Sequence, residues 1–190
     1  KCRPGALWHT FTREHNQSMY YVDKIIVPMT AQDAIATFIE GKGLYMDNAN
    51  VWFISVLSAN HATMKAITCI INSIIFSVLG KAGANPQAGG YFKFNKQFLA
   101  PIPFPTEKIT PEGAFTKHLS ALYDNISELQ SRYLTAPPVQ KEIISQSLER
   151  SWEELDEICY EIYEVTDEEK RLIQAVGRTV NRVELLNEVN

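Results

Sequence analysis

Hydrophobic positions in this chain change their spacing near residue 105. Before it, most apolar residues fall in short runs rich in β-branched and aromatic side chains. After it, they recur at helical intervals. Residues 18–28 contain YYVDKIIVP, which reads as a strand closed by Pro28. KGLYMDNANVWFISVL, residues 42–57, reads as a hairpin with arms 43–46 and 51–57; Asp47-Asn48-Ala49-Asn50 supplies turn chemistry. Residues 31–38 fit either a short helix or another strand. The longest apolar run, AITCIINSIIFSVL, reads as part of one buried helix over 61–79 with Gly80 as its C-terminal cap. It is interrupted by polar residues and falls short of the roughly 20 apolar residues that a membrane span needs. GANPQAGG follows as a polar loop. A strand over 91–95 then alternates Phe92 and Phe94 on one face with Tyr91, Lys93 and Asn95 on the other. Pro101, Pro103 and Pro105 end it as an extended stop.

The second half reads as helix. A stripe of Phe115, Leu119, Leu122, Ile126, Leu129 and Tyr133 predicts a helix over 111–134, with Thr110 as N-cap and Pro111 at its first position. Residues 139–163 predict another, restarted at a capping box on Ser151. Thr166 through Glu169 forms a second capping box, opening a last helix to about residue 176. The tail after Gly177 is expected to fray. The fold class predicted is α+β: a mixed, β-rich domain with a buried helix over residues 1–105, followed by an acidic helical appendage over 106–190.

Charge sharpens that division. Residues 1–105 carry nine Lys and Arg against five Asp and Glu, whereas residues 106–190 carry nine against seventeen. Opposite signs suggest two units with different partners. At 45% hydrophobic and 21% charged, the composition is that of a folded chain rather than a disordered one. Three cysteines, far apart and odd in number, argue against a disulfide framework and for a reducing compartment such as the cytoplasm. A chain that opens on Lys1 reads as a fragment or processed product.

Catalytic signatures are sparse. No run matches a phosphate-binding loop, a dinucleotide fingerprint or a paired-cysteine zinc site, and the four histidines lack metal-ligand spacing. Asn85-Pro86-Gln87-Ala88 begins like the Asn-Pro-Pro-aromatic motif of amino-methyltransferases, but the second proline and the aromatic are missing. It reads as a surface loop. Glu168-Glu169-Lys170 matches a nuclease-like Glu-x-Lys, yet it sits at a helix start, where acidic residues suit the macrodipole. This stretch of chain is therefore expected to carry no catalysis, metal or cofactor of its own.

The order of segments carries a resemblance. Lys24-Ile-Ile-Val-Pro28 comes early, Ile71-Asn72-Ser73 sits mid-domain, and GGYFKFNKQFL leads to Pro101-Ile-Pro103. Residues 155–169 then read LDEICYEIYEVTDEE. This succession resembles the C-terminal target-recognition (specificity) domain of type IIG restriction–modification enzymes and adenine-specific DNA methyltransferases. It is similar, more distantly, to type I specificity subunits. The fit is loose at Tyr91, Lys96 and Leu99, and Glu164 stands where the family usually has glycine. The resemblance implies a parent protein that binds S-adenosylmethionine and methylates adenine N6, with or without a fused endonuclease. Its N-terminal catalytic domain would pack on this chain, and this chain would read double-stranded DNA.

Elementary chemistry is compatible with that role. Arg3, Arg13, Lys24, Lys42, Lys65, Lys81, Lys93 and Lys96 are candidates for phosphate positioning. Arg13, Lys42, Tyr45, Asn48, Asn50, Asn85, Gln87, Tyr91 and Lys93 are candidates for base readout. Trp8 and Trp52 read as core. The alternative is a protein–protein module, in which the stripe from Phe115 to Tyr133 packs on a catalytic domain or partner subunit.

Overall fold

Strand β1 (Lys24–Pro28) organises the first half because its apolar positions alternate in depth, with Ile25 and Val27 both essentially inaccessible. The computed structural model describes residues 21–41, 50–56 and 58–187. β1 is the centre of an antiparallel three-stranded sheet, flanked by β3 (Thr37–Ile39) and β4 (Val51–Ile54). Ile25 lies opposite both Phe38 and Ile54. After Pro28 the chain turns into β2 (Thr30–Ala31), which leaves this sheet and pairs with β5 (Phe92–Lys93) in a second, two-stranded ladder. Residues 31–38, open in the sequence, are thus strand at both ends with irregular backbone between. The partner arm expected for β4, residues 43–46, lies outside the described residues.

The predicted single helix over 61–79 is two helices. α1 (His61–Ile71) and α2 (Ile74–Gly83) meet at 61° across Asn72 and Ser73. Each half has its own cap: Asn60 accepts from the Thr63 N–H, and Ser73 accepts from the Phe76 N–H. Gly80 does not cap the helix but lies inside α2, which runs on to Gly83. The reason is packing. A Cβ on Gly80 would stand 2.8 Å from Phe94 Cε1, and Phe94 is fully buried there. No single helix among the described residues is long and apolar enough to cross a membrane.

A one-turn helix α3 (Lys96–Leu99) follows β5. α4 (Ala114–Thr135) begins three residues later than the sequence predicts, with Gly113 as N-cap; Thr110 and Pro111 sit in the preceding turn. α5 (Pro138–Ile162) is continuous through Ser151, whose hydroxyl donates to the Ser147 carbonyl at 3.0 Å instead of capping a new start. α6 (Asp167–Val176) carries the predicted capping box: Thr166 and Glu169 exchange side-chain and backbone bonds. Lys170 pairs with Glu157 at 2.6 Å, so Glu168-Glu169-Lys170 is a helix start.

α4 packs on α1 on one side and α5 on the other. Leu119, Leu122, Ile126 and Tyr133 are buried in that layer, with Phe115 and Leu129 packed against it. The stripe offered to a partner is therefore spent on the chain's own core. One hydrophobic cluster runs from Ile25 and Val27 through Ile70 and Leu119 to Leu155 and Val183. Tyr123 of α4 also accepts from the Phe38 N–H at 3.2 Å, tying the helical layer to β3. A division at 105/106 separates charge but not core.

Candidate nucleic-acid interface

Between α2 and β5 the chain makes a tight, hydrogen-bonded loop. The Gln87 N–H donates to the Tyr91 carbonyl at 2.7 Å, and the Lys93 N–H donates to the Asn85 carbonyl at 3.3 Å. Gly89 and Gly90 both adopt φ near +75°, which lets the chain reverse in this short span. Gln32, beside β2, donates its amide to the Gly89 carbonyl at 3.2 Å. The backbone of this loop is thus anchored by the β2–β5 ladder and by a side-chain bond. Its side chains are left outward: Asn85, Gln87, Tyr91 and Lys93 are all exposed, and Lys96 is exposed at the start of α3.

Met29 joins this loop to a second edge. Its N–H donates to the Asn50 carbonyl and its carbonyl accepts from the Phe94 N–H, each at 2.8 Å. Exposed Asn50, at the start of β4, therefore lies one strand-width from Met29 on one side, with Phe94 on the other. Six of the sequence candidates, Asn50, Asn85, Gln87, Tyr91, Lys93 and Lys96, belong to segments that meet around Met29. Arg13, Lys42, Tyr45 and Asn48 lie outside the described residues.

Three candidates are elsewhere. Lys24 is 1% exposed, and burial pushes its ammonium pKa down against the opposing pull of Asp23. It is an interior side chain. Lys81 faces inward from α2 and pairs with Asp33 at 2.5 Å. It also donates to the Thr179 hydroxyl at 2.9 Å. Lys65, a candidate for phosphate positioning, pairs with Asp124 of α4. Of the lysines described between residues 21 and 105, Lys93 and Lys96 are the two that are exposed without an ion pair among the described residues. The positive balance of the first half overstates its free charge.

Lys81 leads to a polar hub that the sequence did not reveal. Asn72, at the α1–α2 break, reads the backbone of residue 36 like a strand: Nδ2 donates to the Ala36 carbonyl at 2.8 Å, and Oδ1 accepts from the Ala36 N–H at 2.9 Å. Its own carbonyl, released from the helix, accepts from Arg178 Nη1 at 3.0 Å and Arg182 Nη2 at 2.9 Å. Arg182 forks onto Asp156 at 2.8 and 2.9 Å and lies 4.7 Å from the Trp152 ring centre. Asp156 accepts in turn from the Ile74 N–H at 2.8 Å, placing a carboxylate at the start of α2. Arg178 also donates to the Ser77 hydroxyl and the Ala34 carbonyl. Asp33 accepts from the Val180 N–H at 2.9 Å.

The tail expected to fray is therefore a strap. Gly177, at φ +61° and ψ −173°, turns the chain out of α6 into it, and Val183 is buried beyond it. Burial alone would raise the Asp33 pKa. Lys81, the Val180 and Thr179 N–H groups and the Arg178 charge outweigh it and hold the carboxyl below its ordinary value. Arg178 is pushed down to about 10, first by burial and then by Arg182, and stays protonated at neutral pH. The available signal was the four-residue spacing of Arg178 and Arg182 after a helix-stopping glycine.

Among the described residues no three His, Cys, Asp or Glu side chains come together to hold a metal. Cys69 and Cys159 are buried free thiols, with the Cys159 pKa pushed up to about 12, first by burial and then by Asp156, so neither offers a ready thiolate. Neither a protein-family model nor a curated protein matches the chain.

Proposed function

We propose that this chain reads DNA sequence, as the specificity domain of a restriction–modification DNA methyltransferase whose catalytic domain lies outside it. The observation that carries the reading is the loop from Asn85 to Lys93. Its backbone is fixed by internal and ladder hydrogen bonds, while two amides, a phenol and a lysine stand exposed on it. Amide side chains carry the paired donor and acceptor that match adenine N6 and N7. Lys93 and Lys96 supply unpaired positive charge beside them, as phosphate contacts require. A fixed backbone lowers the ordering cost of such contacts. The succession of segments shared with target-recognition domains supports the same reading. S-adenosylmethionine and adenine methylation belong, on this proposal, to the parent protein.

The test is selection from a randomised duplex pool by the chain, repeated at low and moderate salt. The expected result is enrichment of a defined short sequence, with affinity falling as salt rises. A pool that returns unenriched, in the chain and in the parent protein alike, overturns the reading.

Exposed apolar side chains favour a second role on the helical side. Val139 and Ile143 on α5, and Leu172 and Val176 on α6, are each more than 60% exposed and spaced four residues apart. α6 buries none of its residues fully. These faces, rather than the buried α4 stripe, are where a catalytic domain or partner subunit would pack.

A further inference from the structure

We infer that Asp33, Lys81 and the strap residues Arg178–Val180 form a brace that positions the Asn85–Lys93 loop. The binding part of this inference rests on the proposed DNA-reading role; the mechanical part does not.

Both stems of the loop end on one carboxylate. The first stem is the last turn of α2, where Lys81 sits three residues before Ala84 and pairs with Asp33 Oδ1. The second stem is β5, which pairs with β2, and β2 leads through Gln32 directly into Asp33. Gln32 itself holds the loop's tip at the Gly89 carbonyl. Asp33 is therefore the point at which the two stems are tied together. Its side chain is 2% exposed and that of Lys81 is 11% exposed, so the pair is shielded from salt.

The strap closes over this tie. The Val180 N–H donates to Asp33 Oδ2, Thr179 accepts from Lys81, and Arg178 donates to the carbonyl of Ala34, the next residue. Three consecutive strap residues thus satisfy three groups at the base of the loop. Val180 and Leu185 of the strap also line one cleft of about 320 Å³ together with Tyr91 of the loop. The strap is itself fixed to the helical layer, because Arg182 forks onto Asp156 of α5. Hydrogen bonds and ion pairs, linked by short stretches of backbone at residues 180–182 and 32–33, thus join α5 to the loop tip. Asp33, Lys81 and Arg178 are positioning residues; none needs to touch DNA.

The experiment is amide hydrogen exchange on the whole chain without DNA, for the wild type, Asp33→Asn and Lys81→Met. Lys81→Met keeps the apolar stem and removes the charge, so one variant remains informative where the other folds poorly. The reporters are the Gln87, Lys93 and Phe94 amides, with α1 and α4 amides as the control. The expected result is a rise of about tenfold or more in exchange at the reporters, with α1 and α4 unchanged. A Lys81→Arg variant, which restores the cation, is expected to return the reporters toward wild-type rates. Reporters that stay at wild-type rates in a folded variant, or that rise only in step with α1 and α4, overturn the brace. In the DNA arm, the ratio of affinities for the selected and a scrambled duplex is expected to fall in both variants. A wild type that never discriminates between duplexes sinks the DNA reading, while the exchange result still decides the brace.

Discussion

Lys81 and Lys93 flank the same loop and have opposite fates. Lys93 points outward from β5 with no ion pair among the described residues, while Lys81 points inward and is neutralised by Asp33. The contrast holds for the two regions they belong to. The loop fixes its backbone and leaves its polar side chains exposed, with Gln87 Nε2 donating to the neighbouring Pro86 carbonyl at 3.0 Å. The hub around Asn72, Asp33 and Asp156 uses amide and cation as the loop does, and adds carboxylates, to satisfy backbone groups in the interior. Burial decides which role a polar residue has: an interior donor or acceptor must be paired, whereas a surface one is available to a ligand.

That contrast breaks most visibly in stability. Arg182→Ala leaves Asp156 without its forked partner in a half-dry site and removes one of the two arginine donors to the Asn72 carbonyl, so it is expected to cost about 3 kcal/mol or more. Urea unfolding monitored by far-UV circular dichroism measures it. An Arg182→Ala midpoint equal to wild type would show that the strap is ornamental. Gly80→Ala comes next. Its added methyl meets the buried Phe94 ring, and overpacking of this kind costs about 1–3 kcal/mol, read as a lower thermal midpoint.

Acid separates the regions by a different route. The folded-state pKa of Asp33 lies below its ordinary 3.8. Its contribution is therefore complete above that value and is lost only as pH falls through the lower folded value. The stability gap between wild type and Asp33→Asn is expected to hold constant from neutral pH down to about 4 and to narrow below it. A gap that already closes between pH 7 and 5 contradicts a depressed carboxylate.

Glu164 is a smaller and opposite case. It follows α5 in the left-handed region at φ +54°, where the Val165 N–H reaches back to the Tyr160 carbonyl and the Glu164 N–H to that of Glu161. Glycine suits such a position, so Glu164→Gly is expected to raise the urea midpoint despite losing an exposed pair with Lys108. A loss of stability in urea would mean that the Lys108 pair outweighs the backbone strain. The smallest stability effects belong to the loop: Tyr91→Ala and Lys93→Ala are expected to shift unfolding by less than about 0.5 kcal/mol.

What was legible in the sequence was local. The capping box at Thr166 is visible because its donor and acceptor lie three residues apart, and the α+β class because strand runs and helical stripes differ in period. The α1–α2 break was hidden. Asn72 is held by Ala36, 36 residues away, and by arginines 106 and 110 residues away. Nothing within one helical turn announces such partners. Ser151 misled for the converse reason, since its local pattern fits a cap while its hydroxyl bonds back to residue 147. For the candidate site, residue type found the loop but could not sort Lys93 from Lys81 or Lys24, because their difference is depth, and depth is set by tertiary packing.

On the proposed reading, the exposed residues of the loop recognise DNA while the buried ones hold the fold. The most direct measurement is the affinity of Gln87→Ala and Lys93→Ala chains for the selected duplex, taken beside their urea midpoints. Weaker binding is expected in both, with the salt slope for Lys93→Ala reduced by about one, at unchanged midpoints. Wild-type affinity and salt slope in both folded variants would contradict it.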